Sequence, residues 1–460
     1  MKTFTTINPA TGDRIEDYPL MDRAALDRAL DAAAAAQSAW RRTLPGERVK
    51  PLRAAGRLLR ERKADYARLM CREMGKPLTQ GQAESEKCAW VCDYYADNAE
   101  TFLAPQKIVT DAADSFVCFN PLGLVLAIMP WNYPFWQVLR FAAPAMSAGN
   151  AGLLKHSPNV SGCALALETL FRDAGFPEDL FRALIIDTDQ AADVIRDPRV
   201  AAVSLTGSVG AGRAVAATAG SVLKKCVLEL GGSDPYVVLA DADLDLAVKQ
   251  CLGGRFVNAG QSCVAAKRWI VVDAVRQAFT DKALAAIRAL KLGDPSAAET
   301  DIGPMARADL RDQLHRQVQE SIERGARCLV GGESSAGAGF FYPPTLLVEV
   351  RPGMPAYHDE LFGPVASILP AKDEADAVRI ANDTDYGLGG AVFTADVARG
   401  RRLAAEAIDS GAVFVNRQLV SDPRLPFGGI KHSGYGRELS TFGIREFVNV
   451  KAVSVASGSG

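Results

Sequence analysis

Between Leu124 and Thr206 the chain alternates short apolar runs with longer amphipathic stretches, and few architectures accept that rhythm. Leu124 to Met129, Gly152 to Ser157, 181–186 and 200–206 read as strands; 135–149, 160–174 and 188–196 read as the helices between them. Parallel strands need long crossovers, usually helical, so the pattern predicts a doubly wound parallel sheet. The strand at 200–206 runs into Thr206-Gly207-Ser208-Val209-Gly210-Ala211-Gly212, which opens a further helix. Free backbone N–H groups and the helix dipole suit such a turn to a phosphate. A plain strand-to-helix turn would read the same, because the full Gly-x-Gly-x-x-Gly spacing is absent.

A second α/β region follows, with strands at 236–239, 267–273, near 365–369, near 390–394 and at 412–415. Helices are expected at 243–258, 275–290, 373–382 and 397–409, while 291–356 reads as turns around one helix near 306–325. Upstream, Ile7 to Asp13 forms a turn between two short strands, from its Pro, Gly and Asx chemistry. Helices fill 22–62, broken near Pro45-Gly46, and one helical stretch runs from 64 to 102 with Met70, Met74, Trp90 and Tyr94 as packing residues. At 460 residues the chain holds two or three structural units, and the tail from Ala456 to Gly460 is expected to fray.

Three positions carry chemistry. Cys263 closes a Gly260-Gln261-Ser262 turn and is a candidate nucleophile, although a buried structural cysteine is the commoner use of the residue. Glu229 stands between Leu228 and Leu230 ahead of a Gly pair, where a carboxylate needs a partner or a task. Asn132 sits in Pro130-Trp131-Asn132-Tyr133-Pro134, whose prolines fix a non-helical loop; it either donates to developing negative charge or satisfies its own backbone.

The remaining composition removes other classes. A formal net charge of −2 without a long basic run gives no reason to expect nucleic acid or anionic membrane as a partner. Apolar runs such as Leu124 to Met129 fall far short of the ~20 residues that span a bilayer. Lys2 is followed by polar residues rather than a secretory core segment, so a cytoplasmic location is expected. The nine cysteines are scattered and odd in number, which favours reduced thiols, and with four histidines and no metal-binding motif no metal site is expected.

Six motifs then fall in order: Pro130-Trp131-Asn132-Tyr133-Pro134, Gly207-Ser208 with Gly212, Glu229-Leu230-Gly231-Gly232, Gly260-Gln261-Ser262-Cys263, Glu360-Leu361-Phe362-Gly363-Pro364 and Pro426-Phe427-Gly428-Gly429-Ile430-Lys431. Together they resemble the signature set of the aldehyde dehydrogenase superfamily over essentially the whole chain. The resemblance implies an α/β fold with a Rossmann-type cofactor domain at 1–102 and 122–230. It further implies an α/β catalytic domain at 231–432 and a small β oligomerisation element at 103–121 and 445–457. Carried onto matching positions, it makes Cys263 the nucleophile, Glu229 the general base, and Asn132 with the Cys263 N–H the oxyanion hole. It assigns NAD or NADP to Trp131, Lys155, Ser157, Pro158, Gly207, Ser208, Gly212, Leu230, Glu360 and Phe362. Homodimers or homotetramers are implied as well.

Within the superfamily, Lys155-His156-Ser157-Pro158-Asn159 and Ser421 to Phe427 are most similar to bacterial succinate-semialdehyde dehydrogenases. That likeness makes Arg140, Ser421 and Trp136 substrate-binding candidates, with Arg140 facing a distal carboxylate. Arg140 and Arg424 read equally well as structural or solvated. Val257 stands where some relatives carry a second carboxylate-binding arginine, which leaves a broad-specificity aldehyde dehydrogenase open, and a scaffold that kept the fold without catalysis is the alternative from another class. Pro158 replaces a glutamate of many NAD-preferring relatives, so NAD and NADP both remain admissible.

Overall fold

The parallel sheet anticipated from the alternating pattern has the order Lys225–Glu229, Val200–Thr206, Leu124–Met129, Ala151–His156, Phe181–Ala183 in a computed structural model that describes residues 2–334 and 337–456. Helices cover both faces, so the central strands are continuous apolar runs rather than alternating ones, as in Leu124-Val125-Leu126-Ala127. From Leu124–Met129 the chain adds strands on one side, then returns to lay Val200–Thr206 on the other. That reversal opens a crevice beyond the carboxyl ends of these two strands, where Pro130 to Asn132 and Gly207-Ser208 emerge. A short segment, Gly434–Tyr435, pairs antiparallel with the outer strand, Gly434 opposite Glu229.

The second sheet runs Arg327–Val330, Thr345–Val348, Val365–Ala371, Arg268–Val272, Pro235–Val238, Gly389–Phe393, Ala412–Val415, parallel except for its first pair. A third sheet pairs Asp114–Pro121 with Val448–Val455 and with Gln106–Lys107, all antiparallel.

Several expectations need correction. The single helical stretch at 64–102 is two helices, Lys63–Met74 and Leu78–Phe102. Gly75 takes φ 77° as a left-handed cap and Pro77 cannot continue the first helix, so Lys76 is turned inward between them. The region 291–356 contains two four-residue strands, Arg327–Val330 and Thr345–Val348, too short for an alternating pattern to register. Glu229 ends a strand, Lys225–Glu229, that was not anticipated, and the helix expected at 397–409 is Val397–Arg402 followed by a wider π turn at Leu403–Ala407. The tail beyond Ala456 lies outside the described residues.

Candidate active site

Cys263 follows the helix Leu244–Phe256 by a short irregular segment in which Asn258, Ala259 and Gly260 all take positive φ, 57°, 52° and 70°. Non-glycine residues in that region cost roughly 1–3 kcal/mol each and persist only where their surroundings dictate it. Here the dictation is explicit. Asn258 Nδ2 donates to the carbonyls of Asn132 at 2.8 Å and Gln261 at 3.1 Å, and its backbone N–H donates to Gln80 Oε1 at 2.7 Å. A Cβ on Gly260 would strike the Gly363 carbonyl, so glycine is required. The fully buried Arg255 donates to the carbonyls of Val365 at 2.6 Å, Leu361 at 2.7 Å, Gly260 at 3.2 Å and Gly363, tying the cysteine segment to the loop that carries Glu360 and Phe362. Burial among these neutral carbonyls lowers the Arg255 pKa to about 9.

Buried Lys267 braces Cys263 directly, donating to the Cys263 carbonyl at 2.7 Å and the Ser262 carbonyl at 2.8 Å, with Glu360 at 3.2 Å as its counterion. Cys263 itself is half-buried. Burial pushes its thiol up to about 11, against the opposing pull of the Arg140 and Lys267 cations, so the resting group is a neutral thiol.

Asn132 is held on both sides of its amide: Gln137 Nε2 donates to its Oδ1 at 3.0 Å, and its Nδ2 donates to the Gln261 carbonyl at 3.0 Å. One Nδ2 hydrogen remains for an incoming oxygen. Lys76, the residue turned inward by the helix break, donates to the Asn132 carbonyl at 2.9 Å and pairs with Glu84. Glu84 in turn accepts from the Phe135 and Trp136 amides, both at 2.9 Å, and so caps the helix Trp136–Ser147 behind the loop.

Glu229 lies differently. Its side chain is 2 % exposed, and a Cβ on Gly428 would come within 2.7 Å of its Oε1. Burial and the neighbouring Glu438 raise its pKa well above the usual carboxylate range, with Arg140 and Arg437 opposing. Neither oxygen has a hydrogen-bond partner among the described residues. The structure thus brings Cys263 and Asn132 to one wall, whereas the Glu229 carboxylate is turned toward Gly428 and Glu438, with the next residues, Leu230 and Gly231, on the cavity wall.

Two cavities meet at Cys263 and Gln137. The first, of ≈ 470 Å³, opens at the sheet crevice between the Trp131–Asn132 loop, the Gly207–Gly210 turn, Leu230 and the Glu360–Phe362 loop. Ser208 caps the helix Val209–Ser221, its hydroxyl accepting from the Ala211 amide, and a Cβ on Gly210 would meet nothing within 4 Å, so the space beside the helix start is open. Trp131 and Phe362 meet edge-on at 5.8 Å, forming an apolar end to the cavity. A phosphate seat at one end and an aromatic wall at the other suit a dinucleotide. Trp131, Gly207, Ser208, Leu230, Glu360 and Phe362 line this space, and Gly212 is the small residue against which Leu230 packs. Lys155, Ser157 and Pro158 lie at the end of the adjacent strand, outside the walls of the cavity.

The second cavity, of ≈ 330 Å³, is walled by Trp136, Arg140, Ser421, Phe427 and Val257. Arg140 is already engaged: its guanidinium pairs with buried Glu438, donates to Thr206 Oγ1 at 3.2 Å and lies 4.5 Å from the Phe427 ring centroid. Arg424 is on the surface, paired with Asp422 at 2.6 Å. Sequence reasoning missed Lys87, whose Nζ reaches this cavity from the helix Leu78–Phe102 and donates to Ser421 Oγ at 2.8 Å.

The profile of the aldehyde dehydrogenase family matches residues 1–453. The chain is 49 % identical over 448 residues to the succinate semialdehyde dehydrogenase [NAD(P)+] of Escherichia coli, covering 97 % of each chain. It is 45 % identical over 457 residues to the succinate-semialdehyde dehydrogenase [NADP(+)] of Mycobacterium leprae, covering 99 % of this chain and all of that one. Among solved structures, succinic semialdehyde dehydrogenase from Streptococcus pyogenes, in complex with NADP+, superimposes with a TM-score of 0.96 at 37 % identity, covering 99 % of this chain and 100 % of the other.

Proposed function

The chain belongs to the aldehyde dehydrogenase family, and from that premise we propose that it oxidises a small aldehyde bearing a distal carboxylate, with succinate semialdehyde as substrate and succinate as product. The observation that carries this reading is the pair of cavities joined at Cys263, one suited to a dinucleotide and the other walled in part by cations. NAD or NADP is the cofactor, held by the Gly207–Ser208 turn at its phosphates and between Trp131, Glu360 and Phe362 at the nicotinamide end.

In this reading the Cys263 thiol gives its proton to solvent, its sulfur bonds to the carbonyl carbon as the C=O π pair moves onto oxygen, and the oxyanion that forms is received by the free Nδ2 hydrogen of Asn132 and the Cys263 N–H. When bound, the nicotinamide supplies the acceptor for the hydride that leaves this carbon. The acyl group then sits on Cys263 as a thioester, and Glu229 takes a proton from the water that releases it. Asn132→Ala is therefore expected to lower kcat by about 10²–10³-fold, with little change in cofactor affinity. Steady-state kinetics with a cofactor titration check this, and an unchanged kcat would remove Asn132 from the oxyanion hole.

The same reading divides the chain into a cofactor domain at 1–102 and 122–230 and a catalytic domain at 231–432. The oligomerisation element proposed at 103–121 and 445–457, which includes the antiparallel strands Gln106–Lys107, Asp114–Pro121 and Val448–Val455, then pairs subunits into a homodimer or homotetramer, a role supported by the exposed Val450 and Val455 on the edge strand. No described helix is long and apolar enough to cross a membrane, and a cytoplasmic location is part of the proposal. A panel of butanal, benzaldehyde and succinate semialdehyde, each with NAD and NADP, tests the whole. Equal kcat/KM across the three aldehydes would replace the carboxylate specificity with a broad one.

A further inference from the structure

Three basic side chains border the second cavity, and two of them are already neutralised. Lys76 pairs with Glu84 and Arg140 with Glu438, both pairs buried. Lys87 is different. Its Nζ makes one hydrogen bond, to the neutral Ser421 hydroxyl, and rests 4.2 Å from the Trp136 ring centroid. Among the described residues no carboxylate lies within ion-pair distance of it, and those nearest are committed elsewhere. Glu84 is taken by Lys76 and the Phe135 and Trp136 amides, and Asp422 is held by Arg424 through contacts of 2.6 and 2.9 Å. An ammonium has three donors, and removing it from water without an anion is costly.

Resting on the function proposed above, we propose that Lys87, with the Ser421 hydroxyl beside it, receives the distal carboxylate of the aldehyde, while Arg140 stays on Glu438 and shapes the wall. Lys87 and Ser421 come from segments 334 residues apart and converge on one edge of a cavity whose other boundary is the nucleophile. The arrangement provides a cation without a competing internal anion, which is what selection of a carboxylated aldehyde over a neutral one of equal length requires.

Charge neighbours make the site sensitive to pH. Burial and Arg140, from the helix Trp136–Ser147, lower the Lys87 pKa to about 8; Glu84 and Cys88 on its own helix and Asp422 across the cavity oppose that shift. The ammonium form binds the anion, so affinity for a carboxylated aldehyde is present below about pH 8 and falls as pH rises through it.

The test compares kcat/KM for succinate semialdehyde and butanal in the unaltered enzyme, Lys87→Met and Lys87→Arg. The ratio of the two substrates is expected to fall about ten- to hundredfold in Lys87→Met and to recover largely in Lys87→Arg. The KM for succinate semialdehyde, divided by that for butanal, should rise above pH 8 in the unaltered enzyme and lose that dependence in Lys87→Met. A large ratio that survives Lys87→Met, or equal losses for both aldehydes, would overturn this inference alone. A ratio near one in the unaltered enzyme would instead overturn the carboxylate substrate, and the role of Lys87 with it.

Discussion

Cys263→Ala is expected to lose aldehyde-dependent reduction of the cofactor by at least about 10⁴-fold while remaining folded and able to bind nucleotide. The loop that presents Cys263 is fixed by groups other than its sulfur: Arg255 and Asn258 hold the positive-φ segment before it, and Lys267 holds its own carbonyl. Removing the thiol therefore takes away the bond-forming atom and little else. Ser262 borders the second cavity beside Cys263, but an unassisted hydroxyl is a far weaker nucleophile than a thiol and offers no substitute. Absorbance of the reduced cofactor, with a melting curve in the presence and absence of NADP, checks both halves of this expectation. Residual turnover within tenfold of the unaltered enzyme would move the chemistry to another residue.

The same sulfur has a pH signature. With the thiol raised to about 11, its thiolate fraction is small at neutrality and grows about tenfold per pH unit below that value. Alkylation of Cys263 by iodoacetamide in the enzyme without cofactor should accelerate accordingly between pH 7 and pH 10, followed by mass spectrometry of the peptide. Fast labelling independent of pH would mean that the resting group is already a thiolate. The buried Cys88, Cys163 and Cys251, whose thiols burial pushes well above the ordinary range, should stay unlabelled while the protein is folded.

Parts of this site could be read from local sequence because local chemistry builds them. Pro130 and Pro134 bracket Asn132, Gly260 precedes Cys263, and Gly207 precedes the cap at Ser208; each is punctuation that forces a turn at the end of a strand or helix. The alternation between 124 and 206 exposed the parallel sheet for the same reason. What stayed hidden depends on pairings between distant segments. Lys87 lies in a helix whose sequence reads as packing, and it becomes a cation facing the cavity only because Ser421 and Trp136 arrive beside it. In sequence Arg140 reads equally as a substrate contact or as a structural or solvated cation, and the Glu438 that engages it lies nearly three hundred positions later. Arg255 and Lys267 hold the Cys263 segment through backbone carbonyls, which no side-chain pattern announces. The two short strands and the break at Gly75 to Pro77 escaped because a four-residue run has no period and a helical stripe continues across a three-residue gap.

Glu229→Gln separates the two halves of the reaction. The Glu229 carboxylate faces Gly428 and Glu438, away from the wall formed by Leu230 and Gly231, so it serves the thioester only after its side chain turns toward Cys263. Its surroundings favour that turn: both oxygens lack hydrogen-bond partners and burial beside Glu438 disfavours the charged form. The amide cannot accept a proton from water, whereas acylation, once the Cys263 thiol has given its proton to solvent, needs only the sulfur and the oxyanion donors. A first turnover with a burst near one equivalent per site is therefore expected in Glu229→Gln, followed by a steady state about 10²–10³-fold slower. Because the carboxyl pKa is raised, the unaltered enzyme should deacylate faster as pH rises through that pKa, and the variant should lose this limb. Rapid-mix measurement of reduced cofactor across pH decides it. If burst and steady state fall together, Glu229 acts first on the Cys263 thiol, a task that a sulfur held near pKa 11 does require of some base.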